Sequence, residues 1–269
     1  MEARDTLVYL SIKYGGDYAK ITSAIRLREE VDLEEVERVV ANLRCKTVTV
    51  LDKDYPKSLR WAIRYPFVLF YMGNLSLLDD FSRTFTVVGA REASEYSLRK
   101  TSEICDQLAR EGYVIISGLA RGIDTAALEA ANRYGKAVAI LGNGLDYYYP
   151  YENMGLQKSI AKNGLLISEY PLGIPPEGFH FLHRNRIVAA VGNVTLAMEC
   201  KLHSGTMNTI YYTMAYGHDL GCLAQPASED NGCNSLVKEG AALIEDAQDA
   251  IDLLDPRLES KKIFLAAYK

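Results

Sequence analysis

From residue 84 the chain repeats one pattern: a short, almost unbroken apolar run, then a longer amphipathic stretch closed by glycine. TFTVVG (84–89) precedes a helix expected near 96–111 that stops at Gly112. YVIIS (113–117) precedes one near 124–134 that stops at Gly135, and KAVAIL (136–141) one near 152–163 that stops at Gly164. Glycine suits the position just past a helix because it tolerates the left-handed backbone there. LLISEY (165–170) leads through a long Pro- and Gly-rich loop to a helix near 183–191. NVTLAME (193–199) precedes a helix near 206–216, and HDLGCLA (218–224) a short one near 234–239. Strands that are apolar at nearly every position are covered on both faces. Strands and helices alternating at this spacing predict an α/β fold with a doubly wound, mostly parallel sheet.

The first part of the chain reads differently. Residues 1–45 form short helices, with DLEEVERVVANL (32–43) amphipathic and Asp32 placed as its N-cap, giving a small helical appendage. KTVTVLDKDYPKSL (46–59) starts as a strand and ends in a turn at Tyr55-Pro56; PFVLFYMGN (66–74) is an apolar run closed by Gly73 and Asn74. The expected division is therefore a helical region over 1–45, a sheet domain over 46–255 and a tail over 256–269.

A chain of 269 residues with 48% hydrophobic and 24% charged residues buries a sizeable core. Its net charge of −5 offers no bulk basic field, so a nucleic-acid role requires Arg and Lys gathered on one face. The five cysteines never approach CxxC spacing and there are only four histidines, which argues against a zinc site and for a reducing compartment. No signal peptide opens the chain and no apolar run reaches a membrane span, so a cytoplasmic protein with no membrane partner is expected.

In doubly wound sheets, ligands bind outside the carboxyl ends of the strands, so the chemistry belongs in the loops there. SGLARGID (117–124) puts Arg121 between Gly118 and Gly122 where a strand gives way to a helix. Gly118 permits a tight turn, Gly122 lets a ligand approach the backbone, and free amides at a helix start favour phosphate. Arg121 adds a planar fork, and Asp124 falls in the first helical turn. On spacing alone a tight turn with a solvated arginine stands equally open. The stretch is not a GxGxxG fingerprint, and no Walker motif exists in the chain.

Other loops add weight. HRNR (183–186) places Arg184 and Arg186 where a helix is expected to begin; Arg91 follows Gly89; Ser204, Gly205 and Thr206 open another helix next to Lys201. Cations converging on one sheet edge point to an anionic ligand, although Arg186 has a second reading, burial against an acid such as Glu169. His180 and His183 beside Phe179 and Phe181, and the tyrosines of YYYPY (147–151), read as loop packing before base stacking. Glu169 and Asp146 read as structural partners of arginine before acid–base groups. No nucleophilic triad is evident.

Taken in order, VVGAREAS (87–94), SGLARGIDTAA (117–127), AILGNGLDYYYPYEN (139–153), SEYPLGIPP (168–176), HFLHRNRIVAAV (180–191), HSGTMNT (203–209) and NGCNSLVKEGA (231–241) resemble the DprA/Smf family, DNA-processing protein A. The resemblance covers roughly residues 47–246. It implies an extended Rossmann-like domain that binds single-stranded DNA, forms homodimers, and loads the RecA recombinase in natural transformation or recombination. It implies no catalysis and no cofactor. The residues it assigns to the DNA backbone are Gly89, Arg91, Ser117, Gly118, Arg121, Gly122, Arg184, Asn185, Arg186, Lys201, Ser204, Gly205 and Thr206. Ala90 stands where the family often has a hydroxyl, Asn208 and Tyr211-Tyr212 interrupt the usual aliphatic helix, and the winged-helix domain of many members is not expected in the tail. A rival reading is a nucleoside-monophosphate phosphoribohydrolase or nucleotide sensor on a related fold. Its PGGxGTxxE pattern is missing, SGTMNTIY (204–211) lacking both the paired glycines and the glutamate. A degenerate pocket kept only for partner interactions is a third.

Overall fold

The computed structural model describes residues 3–227 and 230–254. Nine strands, β1 (Lys46–Thr49), β2 (Val68–Gly73), β3 (Thr84–Gly89), β4 (Val114–Ser117), β5 (Ala137–Leu141), β6 (Leu165–Ser168), β7 (Val194–Glu199), β8 (Asp219–Leu223) and β9 (Ala242–Ile244), form one sheet. Their order is β1-β2-β6-β5-β4-β3-β7-β8-β9. From β6 to β9 every pairing is parallel; β2 runs antiparallel to both β1 and β6. The predicted strands are the observed ones to within a residue or two, because helices cover both faces and leave no polar side to disturb the apolar runs.

Helices α4 (Glu95–Arg110), α5 (Ile123–Asn132), α6 (Met154–Asn163) and α10 (Ala247–Asp252) share one face, burying Leu108, Leu128, Ile160 and Ala250 in one core with strand residues such as Ile115 and Leu166. On the other face α7 (Gly178–Val191) buries Ile187, Val188 and Val191 against Ile116, Ile140 and Ile167, and α8 (Gly205–Ala215) packs beside α7. Fully buried side chains of this size contribute roughly 1.5–3 kcal/mol each. The short α9 (Gly232–Lys238) closes the β7–β8 end through Cys233 and Leu236. All five cysteines are free thiols. No helix among the described residues is long and apolar enough to cross a membrane.

At the N-terminus, α1 (Ala3–Lys13), α2 (Tyr18–Leu27) and α3 (Leu33–Ala41) pack around Leu10, Ile21 and Val36, and Asp32 caps α3 as expected, accepting from Glu34 N at 3.0 Å. This helical region is tied to the sheet: Leu7 and Val8 enter the larger core, and Arg4 donates to Asp52 and Thr47. The tail assigned to 256–269 lies outside the described residues.

Three elements differ from expectation. Helix α7 begins at Gly178, five residues before position 183. Strand β9 and helix α10 were not anticipated; α10 starts on a capping box between Asp246 and Asp249. Most important for function, the chain runs β3→β4→β5→β6 to one side and then returns to β7 on the other side of β3. That reversal makes the carboxyl ends of β3 and β7 the topological switch point, where the diverging loops leave a crevice. An irregularity between Val88 and Gly89 skews β3 against β7 there.

Candidate functional site

A cleft of about 510 Å3 opens at this switch point. Gly89 and Arg91 enter it from the loop after β3, Gly118 from the loop after β4, Arg184 and Asn185 from α7, and Lys201, Ser204, Gly205 and Thr206 from the β7–α8 connection. A second hollow of about 270 Å3 adjoins it and holds Arg121 together with Arg91, Tyr149 and Phe181. The fold thus brings together residues more than a hundred positions apart in the chain.

At the mouth, Arg91 and Lys201 are exposed, and neither has a carboxylate within 4 Å among the described residues. Helix α8 starts between them without a side-chain cap: the Ser204 hydroxyl turns back to Lys201 O at 2.9 Å, and Thr206 Oγ1 donates to Gly89 O at 3.1 Å. Its first-turn amides carry the positive end of the helix dipole, which attracts an anion. Glu92 also lines the cleft and opposes that field.

The loop 118–122, the most phosphate-like stretch in the sequence, is organised around the protein's own carboxylate. Asp124 is buried and accepts from Gly118 N at 3.1 Å and Ala120 N at 3.2 Å. Burial raises its carboxyl above the ordinary range, while Arg184 and these amides pull it back. Asn153 braces the loop from outside, donating to Leu119 O at 3.0 Å and Thr125 Oγ1 at 2.9 Å. Gly122 has φ 73° and ψ −122°, a conformation reserved for glycine, and a Cβ there would lie 2.4 Å from Ala90 O. The backbone it admits is therefore that of the β3 loop, which corrects the expectation of a ligand at Gly122. Ser117 is likewise withdrawn, being buried with its hydroxyl donating to Val87 O at 2.6 Å.

The arginines divide. Because α7 starts early, Arg184 and Arg186 lie within the helix and not at its mouth, and residues two apart on a helix point about 200° from each other. Arg184 turns into the cleft wall, where Nη1 donates to Gly118 O at 2.6 Å and to Ile140 O. Its guanidinium occupies the space that a Cβ on Gly118 would fill. Burial lowers Arg184 to about 10, with Asp124 acting in the opposite direction. Arg186 turns away and pairs with Glu169 at 2.5 Å, both buried. This is the second of the two readings of Arg186, and it removes that residue from the cleft. Arg121 is exposed and meets Glu152 at 2.5 Å on the surface, an arrangement that adds little stability and exchanges readily for another anion.

Of the weaker candidates, Asp146 gives both carboxylate oxygens to Gly173 N at 3.0 Å, and His180 is buried against the Tyr170 ring at 4.0 Å. Burial lowers the His180 pKa. Phe181 and Tyr149, in contrast, stack at 5.1 Å with 26° between their planes and line the second hollow. The sequence reading set both aside as loop packing, since nothing local signals that residues 32 positions apart will pair. It also missed Asn153, whose only visible mark was its place in the AILGNGLDYYYPYEN run. Among the described residues no group of His, Cys, Asp and Glu is arranged to hold a metal ion.

Comparison with known proteins places this geometry. Residues 46–255 match the family described as DNA recombination-mediator protein A. The chain is 38% identical over 206 residues to DNA processing protein DprA of Streptococcus pneumoniae, covering 76% of this chain and 72% of that protein. To protein Smf of Synechocystis it is 37% identical over 222 residues, covering 78% of this chain but only 56% of the relative. The crystal structure of DNA processing protein A from Streptococcus pneumoniae has a TM-score of 0.77 at 32% identity over 92% of each chain. That of the Helicobacter pylori protein scores 0.72 at 32% identity, covering 80% of this chain and 97% of the other. The ordered loop motifs, the doubly wound sheet and these matches agree: the chain belongs to the DNA recombination-mediator protein A family.

Proposed function

We propose that the switch-point cleft and the hollow beside it bind single-stranded DNA. The observation that carries this reading is the meeting of two cations unpaired among the described residues, Arg91 and Lys201, and the uncapped start of α8 beside the stacked Tyr149–Phe181 pair. Cations and helix amides take backbone phosphates, and an aromatic face takes an unpaired base; a duplex offers the phosphates but hides the base faces. Gly89 and Gly118 line the cleft with backbone, their missing side chains making room for Ile123 and Arg184, while Gly205 faces open space; Asn185 and Thr206 offer polar edges, and Arg121 joins when a phosphate displaces Glu152. Arg184 acts from behind, by fixing the Gly118 carbonyl. The Helicobacter pylori relative is described by its single-stranded DNA binding mode, which supports the same reading here.

On this reading the protein works without cofactor or catalysis, as a homodimer that covers incoming or processed strands and hands them to the RecA recombinase. Of the two carboxylates that line the cleft, Asp124 is already engaged by two amides of its own loop and Glu92 is exposed at the mouth, which does not favour the nucleotide-hydrolase alternative. The test is fluorescence anisotropy with a labelled, unstructured oligonucleotide, single- and double-stranded, across a salt series. Preference for the single strand with steep weakening by salt supports the site; equal affinity for both forms, or none at low salt, overturns it. Recombinase loading is read as RecA filament growth on strands pre-coated with single-strand-binding protein, and the dimer by light scattering.

A further inference from the structure

A further hollow lies away from the cleft. It has a volume of about 810 Å3 and sits at the seam where α1 and α3 meet the β2–β6 strand pair and α6. That size falls within the roughly 300–1,000 Å3 of sites for small organic ligands. Its floor and walls are aliphatic, with Ile12, Val39, Leu43, Met72, Leu145 and Leu166 among them. Well-packed interiors leave few spaces of this kind, because lining atoms facing a gap lose their dispersion contacts.

The rim has the opposite character. Arg38, Arg44 and Lys158 are exposed around the opening. Arg44 and Lys158 have no carboxylate within 4 Å among the described residues, and Arg38 reaches only Glu35, at 4.0 Å on its own helix. Lys158 stands 5.0 Å over the Tyr148 ring at the mouth. The polar groups of the wall are already satisfied: Asp146 by Gly173 N, and Gln157 by the carbonyls of Leu145 and Tyr147. At the lip three cations, Arg38, Arg44 and Lys158, outnumber the one carboxylate, Asp146, which is held by Gly173 N, so the opening is net positive around an apolar interior.

We propose that this seam is a binding site for an amphiphilic organic anion, its apolar body among Leu43, Met72 and Leu166 and its acidic head between Arg44 and Lys158. The charge of the rim selects against the chain's own residues 255–269, which carry four basic and two acidic side chains. It is also separate from the DNA cleft, with which it shares no residue.

The test is a titration of the full chain with 8-anilinonaphthalene-1-sulfonate, an aryl sulfonate of suitable size, read by its fluorescence. The expected result is one saturable site, displaced by decanoate and unaffected by a single-stranded oligonucleotide. The neutral analogue N-phenyl-1-naphthylamine binds at least tenfold more weakly, and so does the sulfonate to the Arg44→Glu/Lys158→Glu variant. Ala161→Phe, which extends a ring into the hollow from α6, abolishes the site while circular dichroism remains unchanged. The charge-reversed variant alters only exposed side chains, so it decides the matter even if Ala161→Phe misfolds. Non-saturating binding, displacement by the oligonucleotide, or equal affinity for the charge-reversed variant overturns the proposal.

Discussion

Arg184 tests the distinction between a residue that touches DNA and one that builds the place where DNA is touched. Viewed as a ligand on a loop, it should be removable at the expense of affinity alone. In the fold it is buried, donates to two backbone carbonyls, and its charge pulls down the pKa of the buried Asp124 carboxylate. A hydrogen bond involving a charged group contributes about 1.5–3 kcal/mol, so two are worth about 3–6 kcal/mol. Truncation relieves the burial of the guanidinium but withdraws the cation that lowers the Asp124 pKa and takes a donor from two carbonyls, Gly118 O and Ile140 O, each buried partner so deprived costing about 1–3 kcal/mol. We therefore expect Arg184→Ala to destabilise the protein by about 3–5 kcal/mol, a large share of a total of about 5–15 kcal/mol. Urea unfolding followed by far-ultraviolet circular dichroism is the assay, since the single tryptophan, Trp61, is 88% exposed and reports poorly on the core. With a slope of about 3 kcal/mol per molar the midpoint falls by about 1–1.7 M. A loss below about 0.5 kcal/mol, the range of an ordinary surface substitution, would refute the structural role and return Arg184 to the set of direct ligands.

The surface residues behave oppositely. Arg91→Ala and Lys201→Ala leave stability within about 0.5 kcal/mol while each lowers the slope of log affinity against log salt by about 0.7, one single-strand phosphate; an unchanged slope in both removes the phosphate site. Phe181→Ala or Tyr149→Ala weakens single-strand binding by about 1–3 kcal/mol with the salt slope intact, so a changed slope or no loss argues against stacking. Gly122→Ala places a Cβ 2.4 Å from Ala90 O in a backbone conformation closed to alanine, and we expect a loss of about 1–3 kcal/mol; a melting temperature equal to wild type contradicts this. Burial lowers the pKa of both His180 and His218, so the folded protein binds fewer protons than the unfolded chain. Their contribution is complete above about pH 6.5 and is lost as pH falls through the lowered values, with Asp124, whose pKa burial raises, acting in the opposite sense. His218→Gln should flatten the acid side of a stability–pH curve, and an identical curve excludes His218 as a contributor.

The sheet was legible because its strands are apolar at nearly every position and its helices end at glycine, two signals that tertiary packing reinforces. Helix α7 started earlier than expected because GFHFL (178–182) has no capping side chain and two aromatics, and reads locally as loop. That boundary decided the fate of Arg184 and Arg186: on a loop they point together, on a helix they diverge. The SGLARGID motif shows a different limit. Its glycines and arginine were read correctly as a strand-to-helix turn with room for a close approach. Whether the approaching group is a phosphate, an arginine from α7 or the backbone at Ala90 is settled by partners 30 to 66 residues away, which no local pattern records. The convergence of Arg91, Lys201 and α8 was accessible because strand ends in a doubly wound sheet share one edge.

The divergence of Arg184 and Arg186 has a mechanical consequence. One rod, α7, is bolted at one side to the loop after β4 and to β5, and at the other to the acid that follows β6, close to the N-terminal helices. To tilt or slide it would require two buried guanidinium anchorages to let go together, in a medium where neither finds water as a substitute. The floor of the cleft is accordingly stiff, and on the proposed reading accommodation to strands of differing sequence falls to the long side chains around its edge. A groove with an unyielding base and pliant margins grips a backbone without reading its letters.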